Sequence, residues 1–286
     1  MMVRIKAPAK INLSLSIIGK QANFHQVEMV MTTIDLADYI TLSKVSDANN
    51  QITLKSDFPS LPLGRTNLVY QAAELFMKQF GITDSVEIEI EKNIPVAGGL
   101  AGGSSDAAAT FKGLRELFKI DCTDADLCKL GEQIGSDIPF CIMGGTALAT
   151  GRGEIITPIK SPPHCWVIIV NPRLSVSTRD IYAAFSFSEA DDIDTQLMLD
   201  AIEKGSFDEI CMYLANNLEY VTTRLYPLIT DIKRELQANG AHGVRMSGSG
   251  PTVFALVYTE KKANHLYHHI KKVFPKFSVY KARMLG

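Results

Sequence analysis

The sequence predicts an α+β chain folded as two domains, and three observations point there. At 286 residues the chain is long for one core and short for three. A polar stretch punctuated by Pro158, Pro162 and Pro163 divides it, setting residues 1–158 apart from 159–286. Strand patterns and amphipathic helix patterns are interleaved on both sides of that division, and the opening is mostly sheet. Hydrophobic residues make up 46% and charged residues 21%, enough apolar material for a sizeable core. A net charge of −2 gives no ground for binding nucleic acid or an anionic membrane surface, so an anionic ligand needs a local site. Cys122, Cys128, Cys141, Cys165 and Cys211 form no C-x-x-C pair, and their odd number argues against a complete disulfide framework, so reduced, buried thiols are expected. No uncharged apolar run reaches about 18 residues, and Lys10 and Asn12 interrupt the first apolar segment, so a cytoplasmic chain is expected.

In order, Val3, Ile5, Ile11, Leu13, Leu15 and Ile17 alternate along a strand over 2–18 that Pro8 interrupts. Lys10 and Asn12 share one face of it, opposite Ile11 and Leu13. An amine and an amide side by side suit a phosphate or a carboxylate, and taken alone they suit a solvated strand face as well. Asn23-Phe24-His25-Gln26 is a polar turn into a strand over 27–34, which Asp35-Leu36-Ala37-Asp38 closes. Strands over 39–45 and 52–54 flank a turn at Asp47-Ala48-Asn49-Asn50. After an irregular loop over 59–65, Asn67 starts a helix reaching Phe80, with Leu68, Ala72, Leu75 and Phe76 as its apolar stripe and Gly81 ending it.

The next stretch organises the rest. Val86-Glu87-Ile88-Glu89-Ile90-Glu91 alternates as a half-buried strand should, and Pro95 to Asp106 then supplies Gly98, Gly99, Gly102 and Gly103. A helix follows, with Ala107, Phe111, Leu114 and Phe118 on one stripe and Ser104, Ser105 and Asp106 available to cap its first turn. Glycines let backbone N–H groups approach an anion, and a helix start presents unpaired donors and partial positive charge. A triphosphate fits such a place. No Lys-Ser or Lys-Thr follows the glycines and their spacing is not G-x-G-x-x-G, so neither common nucleotide motif applies. A turn serving only tight packing is the bland alternative, but each glycine carries an entropic penalty that function explains better.

A helix over 124–134 stops at Gly135, and Pro139 keeps it from continuing, which leaves Asp137 in a turn. Strands over 147–150 and 154–156 surround Gly151-Arg152-Gly153. Beyond the boundary come a buried-type strand over 166–170, a loop with Ser175, Ser177 and Thr178, and a short helix containing Ile181, Tyr182 and Phe185. After an acidic loop over 189–194, helices are expected over 195–203, 207–214 and 227–238, with Gly240 as C-terminal glycine. Strands over 243–246 and 252–258, a helix over 261–273 and a strand over 277–282 complete the chain. The glycine turn Met246-Ser247-Gly248-Ser249-Gly250-Pro251 joining the first two of these strands reads, by itself, equally as an ordinary hairpin.

Together, Pro8-Ala9-Lys10-Ile11-Asn12-Leu13, Pro95 to Asp106 and Ser247-Gly248-Ser249-Gly250-Pro251-Thr252 resemble, in order and separation, the three signature motifs of the superfamily containing galactokinase, homoserine kinase, mevalonate kinase and phosphomevalonate kinase. The opening Ala9-Lys10-Ile11-Asn12-Leu13, Gly135-Ser136-Asp137-Ile138-Pro139 and the closing Met246-Ser247-Gly248-Ser249-Gly250-Pro251 are most similar to the branch whose substrate is an alcohol linked to cytidine diphosphate. The resemblance covers essentially the whole chain. It implies an N-terminal kinase domain with a left-handed β-α-β unit, a C-terminal ferredoxin-like domain and an active site in the cleft between them. It also implies an ATP-dependent small-molecule kinase with Lys10 and Asp137 as catalytic pair. ATP phosphates are then held by Pro95, Val96, Ala97, Gly98, Gly99, Leu100, Ala101, Gly102, Gly103, Ser104 and Ser105, with Leu68 and Val69 near adenine. Mg2+ is expected between the phosphates, with Ser105 as a candidate ligand. Asn12, Phe24, His25, Thr178, Tyr182, Gly248 and Ser249 fall to the substrate. Where the family carries Asp-Gly-Tyr-His this chain has Ala22-Asn23-Phe24-His25; Phe24 is expected to stack on cytosine and His25 to bond its polar edge. Two alternatives stay open: a kinase of the same superfamily acting on mevalonate, phosphomevalonate or homoserine, and a catalytically silent relative, which would normally lack Lys10 or Asp137. No obligate protein partner is inferred.

Overall fold

The computed structural model describes residues 2–21, 24–45 and 51–285. The turn residues Ala22 and Asn23 and the turn Asp47-Ala48-Asn49-Asn50 lie outside the described residues. Two long strands open the chain, β1 (Met2–Gln21) and β2 (Phe24–Val45), followed by β3 (Ile52–Ser56), α1 (Leu68–Gln79) and β4 (Ser85–Glu91). Three helices, α2 (Gly102–Phe118), α3 (Asp124–Gly131) and α4 (Ile138–Met143), lead to β5 (Thr146–Thr150) and β6 (Ile155–Pro158). Then come β7 (Trp166–Asn171), α5 (Thr178–Ala183), α6 (Thr195–Lys204), α7 (Phe207–Met212), the two-residue β8 (Ala215–Asn216), α8 (Glu219–Leu225) and α9 (Leu228–Ala238). The chain finishes with β9 (Gly243–Met246), β10 (Val253–Val257), α10 (Glu260–Val273) and β11 (Ser278–Arg283).

These elements gather into two compact units. The first comprises Met1–Ala9, Ala37–Val96 and Ala101–Met143. Its β3 and β4 are parallel and joined through α1, a β-α-β unit, while β4 runs antiparallel to Tyr39–Val45 of β2. The apolar faces of α1 and α2 close over this sheet, with Phe76, Phe111, Leu42, Ile88 and Leu114 in the core. The start of α1 follows from its sequence: Asn67 Oδ1 accepts the Val69 N–H over 2.9 Å, relieving one orphan donor.

The second unit comprises Lys10–Leu36, Ala97–Leu100 and Gly144–Gly286. Met29–Thr32 of β2 pair antiparallel with β5, β5 with β6, and Ser14 and Leu15 of β1 pair in parallel with β8. A separate antiparallel sheet has the order β11-β7-β10-β9. Counting β7, β9, β10 and β11 as first to fourth, that order is fourth, first, third, second, with helices after the first and third strands: the ferredoxin-like arrangement of the C-terminal part. The chain is thus α+β. Among the described residues, no helix is long and apolar enough to cross a membrane.

Several local expectations give way. Pro8 does not interrupt β1; its carbonyl accepts the Ser105 hydroxyl over 2.7 Å, and a proline is tolerated in a strand where no ladder donor is needed. Asp35 to Asp38 do not close β2, because Asp35 accepts from Arg283 and the fully buried Asp38 is satisfied by the Asn93 and Ile94 N–H groups and by Lys92. Helix α3 ends earlier than expected, and Pro139 stands inside α4 rather than beyond a helix, in the first turn, where its missing N–H costs nothing. Helix α5 stops before Phe185. The pair β8 and α8 has no counterpart in the sequence reading, since two strand residues and a Thr-rich turn of helix carry no readable period.

Candidate active site

In the second unit, β1 places Lys10 and Asn12 on one face, and Lys10 Nζ donates to Asn12 Oδ1 over 2.7 Å. Both are buried, at 4% and 0% exposure, so this is no solvated strand face. The Lys10 backbone N–H donates to Leu100 O over 3.1 Å, which ties the strand to the first glycine run. That run meets the second glycine turn directly: Ser247 Oγ donates to Gly99 O over 2.9 Å. Gly99 has φ +75°, and a Cβ there would stand 2.2 Å from Ser247 O, so only glycine permits the approach. Three segments far apart in sequence therefore converge.

Thr178 and Ser249 share a hydroxyl hydrogen bond of 2.8 Å, and a Cβ on Gly248 would lie 3.7 Å from Asn12 Oδ1, so the structure brings together four of the expected substrate residues as two adjoining pairs. His25 and Tyr182 have ring centroids 5.4 Å apart, and Phe185 meets His25 edge-on at 5.8 Å. Phe24 is half exposed, and the Arg152 guanidinium lies 5.1 Å over its ring. Burial, and after it the Lys20 charge, hold the His25 imidazole below its ordinary value. Reading the sequence missed Phe185 and Arg152 as neighbours here. It also missed Asn216 and Glu219, which support the second glycine turn: Asn216 Nδ2 donates to Met246 O and Gly248 O, each over 2.8 Å, and Glu219 accepts the Met246 N–H over 2.7 Å.

In the first unit, α2 begins at Gly102 behind Ala101, whose φ of 55° is left-handed, with no side-chain cap and no acid in the first turn. Ser104, Ser105 and Asp106 are consequently inside the helix and do not cap it: Ser105 bonds Pro8, and Asp106 Oδ2 accepts from Lys92 over 2.7 Å. An uncapped helix start without carboxylates suits a phosphate. Leu68 stands beside this start, its Cδ1 3.5 Å from where a Gly103 Cβ would be, while Val69 is in the core. Asp137 sits in the turn before α4, and its carbonyl accepts the Cys141 N–H over 3.1 Å.

Lys92 also bonds Asp38, so an ammonium stands between two carboxylates, all almost fully buried. Burial opposes the Lys92 charge, but Asp106 and Asp38 outweigh it and hold the ammonium above its ordinary value. Burial raises Asp106 to about 7, against the attraction of Lys92 and with the repulsion of Asp38. Among the described residues no group of three or more His, Cys, Asp or Glu is set to hold a metal ion.

A family model described as "GHMP kinases N terminal domain" matches residues 67–145, and one described as "GHMP kinases C terminal" matches 198–276. A protein of Shouchella clausii (strain KSM-K16) named 4-diphosphocytidyl-2-C-methyl-D-erythritol kinase is 50% identical over 268 residues, 93% of this chain and 90% of that one. One of the same name from Bacillus pumilus (strain SAFR-032) is 48% identical, covering 98% and 96%. A solved structure of 4-(cytidine 5'-diphospho)-2C-methyl-D-erythritol kinase superposes with a TM-score of 0.82 at 29% identity, covering 99% and 100%. A homoserine kinase from Cytophaga hutchinsonii reaches a TM-score of 0.80 at 19% identity over 99% and 94%, a likeness of fold alone.

Proposed function

The chain belongs to the GHMP kinases, in the family of 4-diphosphocytidyl-2-C-methyl-D-erythritol kinases, and from that premise we infer that it phosphorylates the 2-hydroxyl of 4-diphosphocytidyl-2-C-methyl-D-erythritol with ATP. The reaction belongs to the non-mevalonate route to isoprenoid precursors, and we place it in the cytoplasm. The observation that carries the reading is the convergence of the three motif segments through Lys10 N–H, Leu100, Gly99 and Ser247.

ATP, when bound, supplies the γ-phosphoryl group, and Mg2+ the screening of its phosphates. The start of α2 supports the nucleotide reading: it has no side-chain cap and no acid in its first turn, so its N–H donors are available to phosphate oxygens. Ser105 is the candidate protein ligand of Mg2+, although its hydroxyl already serves Pro8.

Phosphoryl transfer asks a protein mainly for positioning and charge stabilisation. In this reading Asp137 takes the proton of the substrate hydroxyl as its oxygen bonds phosphorus and ADP leaves, while Lys10 offsets the charge that develops. Asn12 orients Lys10. Phe24 stacks on the cytosine and His25, neutral at physiological pH, offers it one donor and one acceptor. The test is Asp137→Asn, which keeps shape and removes the base: a nonhydrolysable ATP analogue should bind as before while the new phosphomonoester signal vanishes from the 31P spectrum of the products. Near wild-type turnover by this variant would remove Asp137 from the mechanism.

A further inference from the structure

The glycine run leaves the first unit after Val96 and re-enters it at Ala101, and the segments flanking it on both sides are tied to one cluster of charges. Asp38, on β2 and fully buried, accepts the backbone N–H groups of Asn93 and Ile94. It also accepts Lys92, whose ammonium reaches across to Asp106 in α2 over 2.7 Å. Asn93 Nδ2 adds a bond of 3.0 Å to Ala37 O on the same strand. Burying two carboxylates and an ammonium for packing alone is a poor bargain, because apolar residues of similar volume usually serve stability as well or better. Asp106 Oδ1 is moreover buried without a hydrogen-bond partner. The cluster's place, at the two ends of one loop, supplies a reason for it.

We propose that Asp38, Lys92 and Asp106 are positioning residues for ATP: a buried carboxylate–ammonium–carboxylate latch that fixes the entry and exit of the phosphate-binding loop before the nucleotide arrives. None of the three touches the reacting atoms. A loop whose ends are held spends less of its time in conformations that cannot bind, and the apparent dissociation constant falls as the competent fraction rises. The charged groups that bear on Asp106 are Lys92, which attracts its carboxylate, and Asp38, which repels it, so the ammonium between them is what holds the two carboxylates together. Asp38 faces three donors and accepts from each of them.

The proposal rests on the phosphate-loop reading above, and the experiment separates the two. Asp106→Asn keeps an acceptor for Lys92 and should leave the latch closed. Asp38→Asn keeps the size and the acceptor for the loop amides but turns an amide N–H2 toward the ammonium, and should open it. We expect the dissociation constant of a nonhydrolysable ATP analogue and the KM for ATP to stay within about three-fold in Asp106→Asn. Both should rise about ten-fold or more in Asp38→Asn, while the KM for the alcohol substrate stays within about three-fold. Asp38→Asn that folds and binds the analogue as wild type does overturns the latch, as does a parallel rise of both KM values, which marks a merely structural role. Should Asp38→Asn not fold, the double variant Lys92→Met with Asp106→Asn, which leaves Asp38 with its amide donors, is read by the same criteria. Gly103→Val in an otherwise unchanged chain is the control: unaltered analogue affinity there would refute the phosphate loop itself, whatever the latch does.

Discussion

Lys10 Nζ and Asn12 Oδ1 lie 2.7 Å apart on one face of β1, both closed off from solvent. A buried ammonium is kept only where partners offset its lost hydration, so the pair is costly unless it serves chemistry. Replacing Lys10 by Met preserves volume and removes the charge. We expect kcat to fall by about 10²-fold or more, as for removal of one charge-stabilising donor, with stability falling by about 1–3 kcal/mol because Asn12 Oδ1 is left buried without its donor. Retained kcat in a strongly destabilised variant would make Lys10 structural.

Two glycines of the same run are glycine for different reasons. At Gly99 the backbone is left-handed and a Cβ would overlap Ser247 O, whereas at Gly103 a Cβ meets only Leu68 Cδ1 at 3.5 Å. Gly99→Ala should therefore lose both stability and ATP affinity. Gly103→Val should fold and weaken ATP binding by about ten-fold, since its branched side chain screens the helix N–H groups. Paired melting and calorimetry distinguish them.

His25 is held below its ordinary value by burial and by Lys20, so it is neutral at pH 7 and charges only at lower pH. The KM for the cytidylyl substrate should stay flat down to about pH 6.5 and rise as pH falls below it, while the KM for ATP does not follow it. His25→Gln, which offers a donor and an acceptor at every pH, should flatten the dependence; the same slope in that variant would assign it to another group.

Burial raises the Asp106 carboxyl from its ordinary value of 3.8 to about 7 in the folded chain. The folded state thus prefers the protonated form: its contribution to stability is fully present below about pH 4 and is lost as pH rises through about 7. Each pH unit between those two values is worth about 1.4 kcal/mol at most, and the neighbouring Lys92 and Asp38 share the titration. Asp106→Asn should accordingly gain on the order of 2 kcal/mol relative to wild type between about pH 5 and about pH 8. Denaturant titrations at both values measure this, and a constant difference would contradict it.

Much of this site is legible in residue types and order. Strand 86–91, the glycine run and the helix after it follow from alternation, backbone freedom and a helical apolar repeat, each a local property. Misreadings arise where tertiary partners override local signals. Ser104, Ser105 and Asp106 look like caps, yet left-handed Ala101 starts α2 earlier and turns Ser105 to Pro8 and Asp106 to Lys92. Asp38 looks like a strand end and is a buried anchor. Asn216 and Glu219 bear on the second glycine turn across a long sequence separation, and nothing in their own neighbourhood announces it.

The substrate is decided by initial rates with ATP and Mg2+ on 4-diphosphocytidyl-2-C-methyl-D-erythritol, on the same alcohol without its cytidylyl group, and on mevalonate, phosphomevalonate and homoserine. Stacking and one buried hydrogen bond are each worth about 1–2 kcal/mol, so if Phe24 and His25 take the cytosine as proposed, kcat/KM for the cytidylyl compound should exceed that of the truncated alcohol by about 100-fold or more. Phosphorylation of mevalonate, phosphomevalonate or homoserine with no turnover of the cytidylyl compound would contradict the assignment.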